Sequence, residues 1–143
     1  MLPLTNKEEP VNEDVLKVIR GSGRIVVVDY EEIIRVTARI ILKNLGYTVH
    51  LVENGKKAVE LFRNEDKKID LVLLDMIMPV MNGRDCFEPL KKLDLDVRVV
   101  LSSGFSREED LQKMMQDGLS GFIRKPYYTS TLSRVIYDAL NRG

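Results

Sequence analysis

Four polar side chains follow four apolar runs of the sequence, at the point where each run ends. They are Asp29, Asp75, Ser102 and Lys125. Because like carboxylates repel each other, a site containing both aspartates is stable only if Lys125 or a bound cation offsets their charge. A hard divalent cation with oxygen ligands, Mg²⁺, suits such a group. The set therefore favours phosphoryl transfer to a carboxylate, in which one aspartate becomes an acyl phosphate.

Asp75 ends the most apolar of these runs, residues 71–74, which contain no polar side chain. A run of this kind is typical of a strand buried on both faces of a parallel sheet. In open α/β sheets, ligands and chemistry gather at the carboxyl ends of the strands, where Asp75 would lie. The alternative from the residue alone is that Asp75 only starts the turn before Pro79.

The four runs belong to a longer alternation of five predicted strands and five predicted helices. This alternation requires parallel strands, right-handed crossovers and helices on both faces of the sheet, an α/β doubly wound fold. All strand ends then lie on one edge, which brings the four polar residues together. The predicted strands are residues 24–29, 47–52, 69–75, 97–102 and 119–124, and the predicted helices are residues 32–45, 56–64, about 84–92, 106–117 and a last helix that begins near Thr129 or Ser130.

Composition and simple motifs exclude several classes of protein. The net charge is zero, which does not favour nucleic acid or an anionic membrane as a partner. No apolar run approaches the roughly 20 residues that span a bilayer, and the single cysteine, Cys86, is compatible with a reducing cytosol. The phosphate-binding motifs GxxxxGK[ST] and GxGxxG are absent, which disfavours nucleotide-binding enzymes.

Residues 1–22 are expected to be a linker or an upstream helix, and residues 23–143 the folded domain. Two prolines fall in the first ten residues, and Gly21-Ser22-Gly23 interrupts any helix. This arrangement suggests a domain connected to something upstream, with a free-standing domain as the alternative.

Four stretches of the sequence contain these polar residues. In order they are Ile25-Val26-Val27-Val28-Asp29, Leu73-Leu74-Asp75-Met76-Ile77-Met78-Pro79-Val80-Met81-Asn82-Gly83, Leu101-Ser102-Ser103-Gly104 and Phe122-Ile123-Arg124-Lys125-Pro126. Together, and in this order, they resemble the response-regulator receiver domain of bacterial two-component signalling. The resemblance covers about residues 24–141. It implies a flavodoxin-like (CheY-like) sheet with strand order 2-1-3-4-5 and a cytoplasmic domain that takes a phosphoryl group from a phosphohistidine.

By this resemblance, Asp75 is the phosphoacceptor and Lys125 pairs with the phosphoryl oxygens. Asp29 and Asp75 belong to the Mg²⁺ pocket, and the backbone carbonyl of Ile77 is a metal ligand. The partner that supplies the phosphoryl group is a histidine kinase or a phosphotransfer domain, and the chain is not expected to be an enzyme on an external substrate.

The resemblance also implies a switch. Ser102 fills the hydroxyl position and Phe122 the aromatic position. On phosphorylation, the hydroxyl moves toward the phosphoryl group, the ring turns inward, and the face formed by the fourth helix, fifth strand and fifth helix changes shape for an output partner. Tyr127 and Tyr128 are expected on the surface near this face.

Tyr30 departs from the family's pattern. The family usually has two successive acidic residues after the first strand, and the second commonly binds the metal. A protonated phenol is a poor Mg²⁺ ligand, although Glu31 could substitute. This leaves open a pseudo-receiver that is an interaction module without phosphorylation. A third class, a small metal-dependent phosphohydrolase or a flavin carrier, is disfavoured because further catalytic acids and a phosphate-cradling loop are missing.

Overall fold

The computed structural model describes residues 18–64, 68–78, 81–94, 96–104 and 108–141, except the side chains of Glu108 and Asp110. The strands are β1 (Arg24–Val28), β2 (Thr48–Val52), β3 (Leu71–Asp75), β4 (Arg98–Ser103) and β5 (Gly121–Arg124). The helices are α1 (Glu32–Asn44), α2 (Gly55–Asn64), α3 (Gly83–Leu93), α4 (Glu108–Gln116) and α5 (Thr129–Asn141). Within the described part of the chain, no helix is both long and apolar enough to cross a bilayer.

The five strands form one parallel sheet in the order β2-β1-β3-β4-β5. This confirms the predicted doubly wound fold, with the strand order 2-1-3-4-5 and five helices. All five residues of β3 are buried, as the uninterrupted apolar run predicts. In the register of β3 and β4, Asp75 lies opposite Ser102, so the sheet itself places two of the candidate residues side by side.

Alternate residues of the strands supply two hydrophobic clusters, one on each face of the sheet. Val72 and Leu74 of β3 face the cluster that α2, α3 and α4 cover, whereas Leu71 and Leu73 face the cluster that α1 and α5 cover. We call these the α3-side cluster and the α1/α5-side cluster. Because β3 contributes side chains to both clusters, packing on both faces fixes its position. Asp75, at the end of β3, is therefore held on a rigid strand.

Local signals set several ends of the helices. Gly46, at a φ of 108°, follows the C-cap of α1 in the left-handed region, as expected from the sequence. Asn54 caps α2 by accepting a hydrogen bond from the amide of Lys57 at 2.8 Å. Asn82 caps α3 in the same way, accepting from the amide of Asp85 at 2.9 Å.

Part of the predicted linker lies on the domain. The amide of Ile19 donates to Ser133 Oγ of α5 at 3.2 Å, and the amide of Gly21 donates to the carbonyl of Leu45 at 2.9 Å. Arg20 reaches the carbonyl of Asn44 at 2.9 Å. The possible upstream helix within residues 1–22 lies largely outside the described residues, and so does the start of the helix predicted over residues 106–117. The division of the chain at residue 22 remains a prediction.

Candidate functional site

The structure brings together three of the predicted site residues at the carboxyl edge of the sheet. Lys125, directly after β5, places its Nζ 2.7 Å from Asp29 Oδ2 and 3.1 Å from Asp75 Oδ1. Asp29 follows β1 and Asp75 ends β3, so residues from three strands meet in one ion-pair cluster. This geometry follows from the parallel sheet, in which all strand ends with the same polarity lie on one edge.

The cluster is nearly closed to solvent. Asp29 is fully buried and Asp75 is only 4% exposed. Burial, together with the neighbouring charge of Asp29, raises the pKa of Asp75 from 3.8 to about 6, and Lys125 offsets only part of this effect. Burial alone would lower the pKa of Lys125, but its contacts with Asp29 and Asp75 outweigh that and raise it. Two carboxyl groups thus contact a single ammonium in this cluster.

The contacts that the described residues make with the Asp75 carboxylate go to one of its two oxygens. Oδ1 accepts from Lys125 Nζ and, at 3.3 Å, from the amide of Ile77. Since both contacts involve Oδ1, the other oxygen can attack an electrophile without breaking either of them. The arrangement suits a carboxylate nucleophile that is fixed in orientation and charged near neutral pH.

The loop after β1 fixes the second carboxylate. Asp29 Oδ1 accepts from the amide of Glu31 at 2.9 Å while Oδ2 faces Lys125. The Arg35 guanidinium of α1 donates to the carbonyls of Asp29 and Tyr30, at 2.8 and 3.1 Å. These bonds turn Asp29 inward, and the Tyr30 side chain is 61% exposed.

A close approach of backbone holds α3 against the end of β3. The amide of Gly83 donates to the carbonyl of Met76 at 2.8 Å. A Cβ at Gly83 would lie 2.5 Å from the carbonyl oxygen of Asp75 and 2.9 Å from Met76 Cα, closer than side-chain atoms can come. Glycine is therefore required where α3 begins, and this brings the α3 N-terminus next to Asp75.

Ser102 is buried next to Asp75 in the sheet, and its hydroxyl is bonded to an unexpected residue. Tyr127 OH donates to Ser102 Oγ at 2.8 Å. Tyr127 is 7% exposed, so the expectation of a surface position is wrong for it, whereas Tyr128 is 65% exposed as expected. Burial raises the pKa of the Tyr127 phenol, which keeps it a proton donor at neutral pH. No sequence signal distinguished Tyr127 from Tyr128, because β5 ends at Arg124 and its alternation does not extend to these two residues.

The predicted aromatic switch residue lies on the other side of β5. Phe122 is in register with Leu101 and packs, half-buried, against the α3-side cluster. The Arg124 guanidinium lies 5.8 Å from the centre of the Phe122 ring. Ser102, in contrast, is in register with Ile123, which belongs to the α1/α5-side cluster. The two predicted switch residues are thus on adjacent strands and not in the same layer.

The oxygen ligands at the carboxyl edge of the sheet are of the kind that a divalent cation prefers, but few of them belong to carboxylates. Asp29 and Asp75 carry two negative charges against the one positive charge of Lys125, and the carbonyl of Ile77 is a further hard ligand in the loop after Asp75. The Glu31 amide donates a hydrogen bond to Asp29, and the Glu31 side chain is exposed. Among the described residues, no three acidic, histidine or cysteine side chains form a group that could hold a metal ion.

Comparisons with known proteins agree with this geometry. The protein-family model of the response regulator receiver domain matches residues 25–137 of this chain. A chemotaxis protein CheY of Thermotoga maritima is 31% identical over 120 residues, which cover 83% of this chain and 95% of that protein. The sensor kinase CckA of Brucella abortus is 26% identical over 140 residues, which cover 98% of this chain and 15% of the kinase. The chain therefore spans only a small part of that kinase.

A solved structure shows the same fold with a bound metal. The receiver domain of the sensor histidine kinase PA1611 of Pseudomonas aeruginosa, which has a magnesium ion coordinated in its active site cleft, superposes with a TM-score of 0.74 at 22% identity. The match covers 85% of this chain and all of that one. Together with the family match over most of the chain, the sheet order and the cluster of Asp29, Asp75 and Lys125 lead to one assignment: the chain belongs to the response regulator receiver domain family of two-component signal transduction.

Proposed function

We propose that this receiver domain accepts a phosphoryl group on Asp75 from a phosphohistidine of a histidine kinase or phosphotransfer domain, and that Mg²⁺ supports the transfer. The observation that carries the proposal is the buried Asp75 carboxylate, held at Oδ1 by Lys125 and the Ile77 amide. It is oriented, and one oxygen remains for attack.

The residues of the chain account for each part of the transfer. The oxygen of Asp75 that Lys125 does not hold attacks phosphorus, the P–N bond of the donor breaks, and the imidazole leaves with the electron pair and takes up a proton. Lys125 and the Ile77 amide stabilise charge near the transferred group. Bound Mg²⁺, for which Asp29, Asp75 and the Ile77 carbonyl are the ligands we propose, would neutralise charge on the phosphoryl oxygens.

The donor histidine has to come from another protein or another domain. His50 is the single histidine of the sequence. It lies in β2, where its Nε2 is 2.8 Å from Arg24 Nη2, on a strand and not on a helix that could present it to a second receiver. We propose that the modified domain signals through the face formed by α4, β5 and α5, and that it works in the cytoplasm, either alone or as a segment of a larger kinase.

A second candidate function rests on Tyr30. The exposed phenol stands where an acidic metal ligand is expected, and the described residues offer no third carboxylate at the site. A receiver fold that serves only as an interaction module, without phosphorylation, is the function that this observation favours.

Incubation with acetyl phosphate and Mg²⁺, followed by intact mass measurement, separates the two functions. We expect a mass gain of one phosphoryl group that is lost in Asp75→Asn and retained in Asp138→Asn, which makes the same change at an exposed position of α5. The acceptor carboxylate is essential because it forms the bond to phosphorus. Absence of the gain at every Mg²⁺ concentration would leave the interaction module as the function.

A further inference from the structure

The segment that leads into β1, residues 19–23, is in contact with two helices. The amide of Ile19 donates to Ser133 Oγ of α5 at 3.2 Å. The guanidinium of Arg20 donates to the carbonyl of Asn44, the last residue of α1, at 2.9 Å. Consecutive residues therefore bridge α5 and the end of α1, although the sequence predicts a linker up to residue 22 and its glycines are typical of a flexible connection.

The chain crosses the turn between α1 and β2 at a distance that only glycine permits. The amide of Gly21 donates to the carbonyl of Leu45 at 2.9 Å. A Cβ at Gly21 would overlap the hydroxyl of Tyr47 and lie 2.7 Å from its Cζ, and a Cβ at Gly46 would overlap the carbonyl oxygen of Gly21. The Tyr47 ring is 4% exposed and packs in the α1/α5-side cluster, so it cannot easily move aside. The glycines here serve close contact and not flexibility.

From this crossing the chain passes directly into the sheet. The amide of Thr48, the first residue of β2, donates to the carbonyl of Gly23 at 2.9 Å. The amide of Arg24 then donates to Asp70 Oδ2 at 2.8 Å. The segment is thus bonded at its start, at its middle and at its end, and several hydrogen bonds have to open together before it can leave the domain.

We propose that residues 19–23 form a clamp that joins α5 to the end of α1 and fixes the chain that precedes Ile19 against α5. Ser133 suits this role because it is fully buried and its hydroxyl donates to the carbonyl of Ser130 at 3.0 Å, which leaves its oxygen to accept from Ile19. Since α5 belongs to the face that we propose for signalling, the clamp attaches the preceding chain to that face. The inference goes beyond the proposed function and requires no phosphoryl transfer.

Trypsin, which cleaves after arginine, tests the clamp because the bond between Arg20 and Gly21 lies within it. In a flexible joint this bond would be cut as fast as in a synthetic peptide of residues 15–26. We expect cleavage at this bond of the intact chain, followed by mass spectrometry, to be about 100-fold slower than in the peptide, since several hydrogen bonds open together. Cleavage at the rate of the peptide overturns the proposal.

Ser133→Ala tests the attachment to α5 and leaves the sequence around the cleaved bond unchanged. It removes the acceptor of one hydrogen bond, so we expect cleavage after Arg20 and exchange of the Ile19 amide to be about fivefold faster than in the wild type. Thr131→Ala removes a hydroxyl at an exposed position of α5 and is expected to change neither rate by more than about 1.5-fold. Wild-type rates in Ser133→Ala would show that α5 does not hold the segment and would overturn the proposal.

Gly21→Ala tests the close crossing over Tyr47. We expect cleavage after Arg20 to be at least about tenfold faster than in the wild type, each rate being divided by that of a peptide with the same sequence. Ser22→Ala, at the exposed neighbour, should stay within about twofold of the wild type. Unchanged protection in Gly21→Ala overturns the proposal. Unchanged amide exchange in β3 shows that the clamp opens locally; if β3 exchange rises as much as cleavage, the whole domain has opened and Ser133→Ala decides.

Discussion

Asp75→Asn is expected to raise the free energy of unfolding by about 2–3 kcal/mol at pH 7.5 in Mg²⁺-free buffer. The wild-type carboxylate is buried beside Asp29, and these two effects raise its pKa to about 6 despite the pairing with Lys125. The folded protein therefore holds a charge at neutral pH in a place that disfavours it. An amide of the same shape removes the charge and can still accept a hydrogen bond from Lys125.

The pH dependence of this difference has a definite sign. In the unfolded chain, Asp75 titrates near 3.8, and in the folded chain near 6. Below about pH 4 the carboxyl is protonated in both states, so Asp75→Asn should give no advantage. Between about pH 4 and pH 6, Asp75 is protonated in the folded chain and ionised in the unfolded chain. The free energy of unfolding of the wild type therefore falls as the pH rises through this range. Above about pH 6 the advantage of the variant should be constant.

Urea unfolding at several pH values measures the effect, with Asp138→Asn as the matched control at an exposed position. An advantage of Asp75→Asn that persists unchanged at pH 4 would show that the charge is not its cause. Added Mg²⁺ is expected to stabilise the wild type and to narrow the difference, because the cation binds the folded state and offsets the same carboxylates. We therefore expect the folded domain to be least stable when Asp75 is ionised and no Mg²⁺ is bound.

The sequence predicted those features of the site that depend on one strand at a time. The apolar run of β3 predicts both the buried centre of the sheet and the position of Asp75 at its end, and the parallel alternation predicts the meeting of Asp29, Asp75 and Lys125. These are consequences of periodicity and of the common polarity of parallel strands. The order of the strands, in contrast, came from the family resemblance.

The sequence did not reveal contacts that depend on where distant side chains meet. Tyr127 and Ser102 are separated by 25 positions, and nothing local distinguishes Tyr127 from its exposed neighbour Tyr128. The contact of Ile19 with Ser133 bridges 114 positions and was likewise missed. Such pairs are set by tertiary packing, which a periodic pattern does not encode.

Tyr30→Asp is expected to tighten Mg²⁺ binding by about tenfold or more. The position directly follows the buried Asp29, at the rim of the cluster, and the wild-type side chain there is an exposed, uncharged phenol. A carboxylate about 3–6 Å from a divalent cation contributes about 1.4–2.8 kcal/mol even when solvent screens the pair strongly, which corresponds to a factor of about 10 to 100 in affinity. Arg35, bonded to the carbonyls of Asp29 and Tyr30, holds this loop in place and limits rearrangement of the backbone.

Tyr30→Asn is the matched control, since it removes the phenol and adds no charge. Mg²⁺ titrations followed by the amide signals of residues 75–77, at constant ionic strength, should show tighter binding in Tyr30→Asp only. If Tyr30→Asn tightens binding equally, the phenol obstructs the site and a missing carboxylate is not the reason for weak binding. If neither variant changes the affinity, Mg²⁺ does not depend on this position, and the case for an interaction module without phosphorylation loses its structural basis. Because the proposed metal site and the proposed acceptor share the Asp75 carboxylate, a tighter Mg²⁺ site should also speed phosphorylation by acetyl phosphate at limiting Mg²⁺.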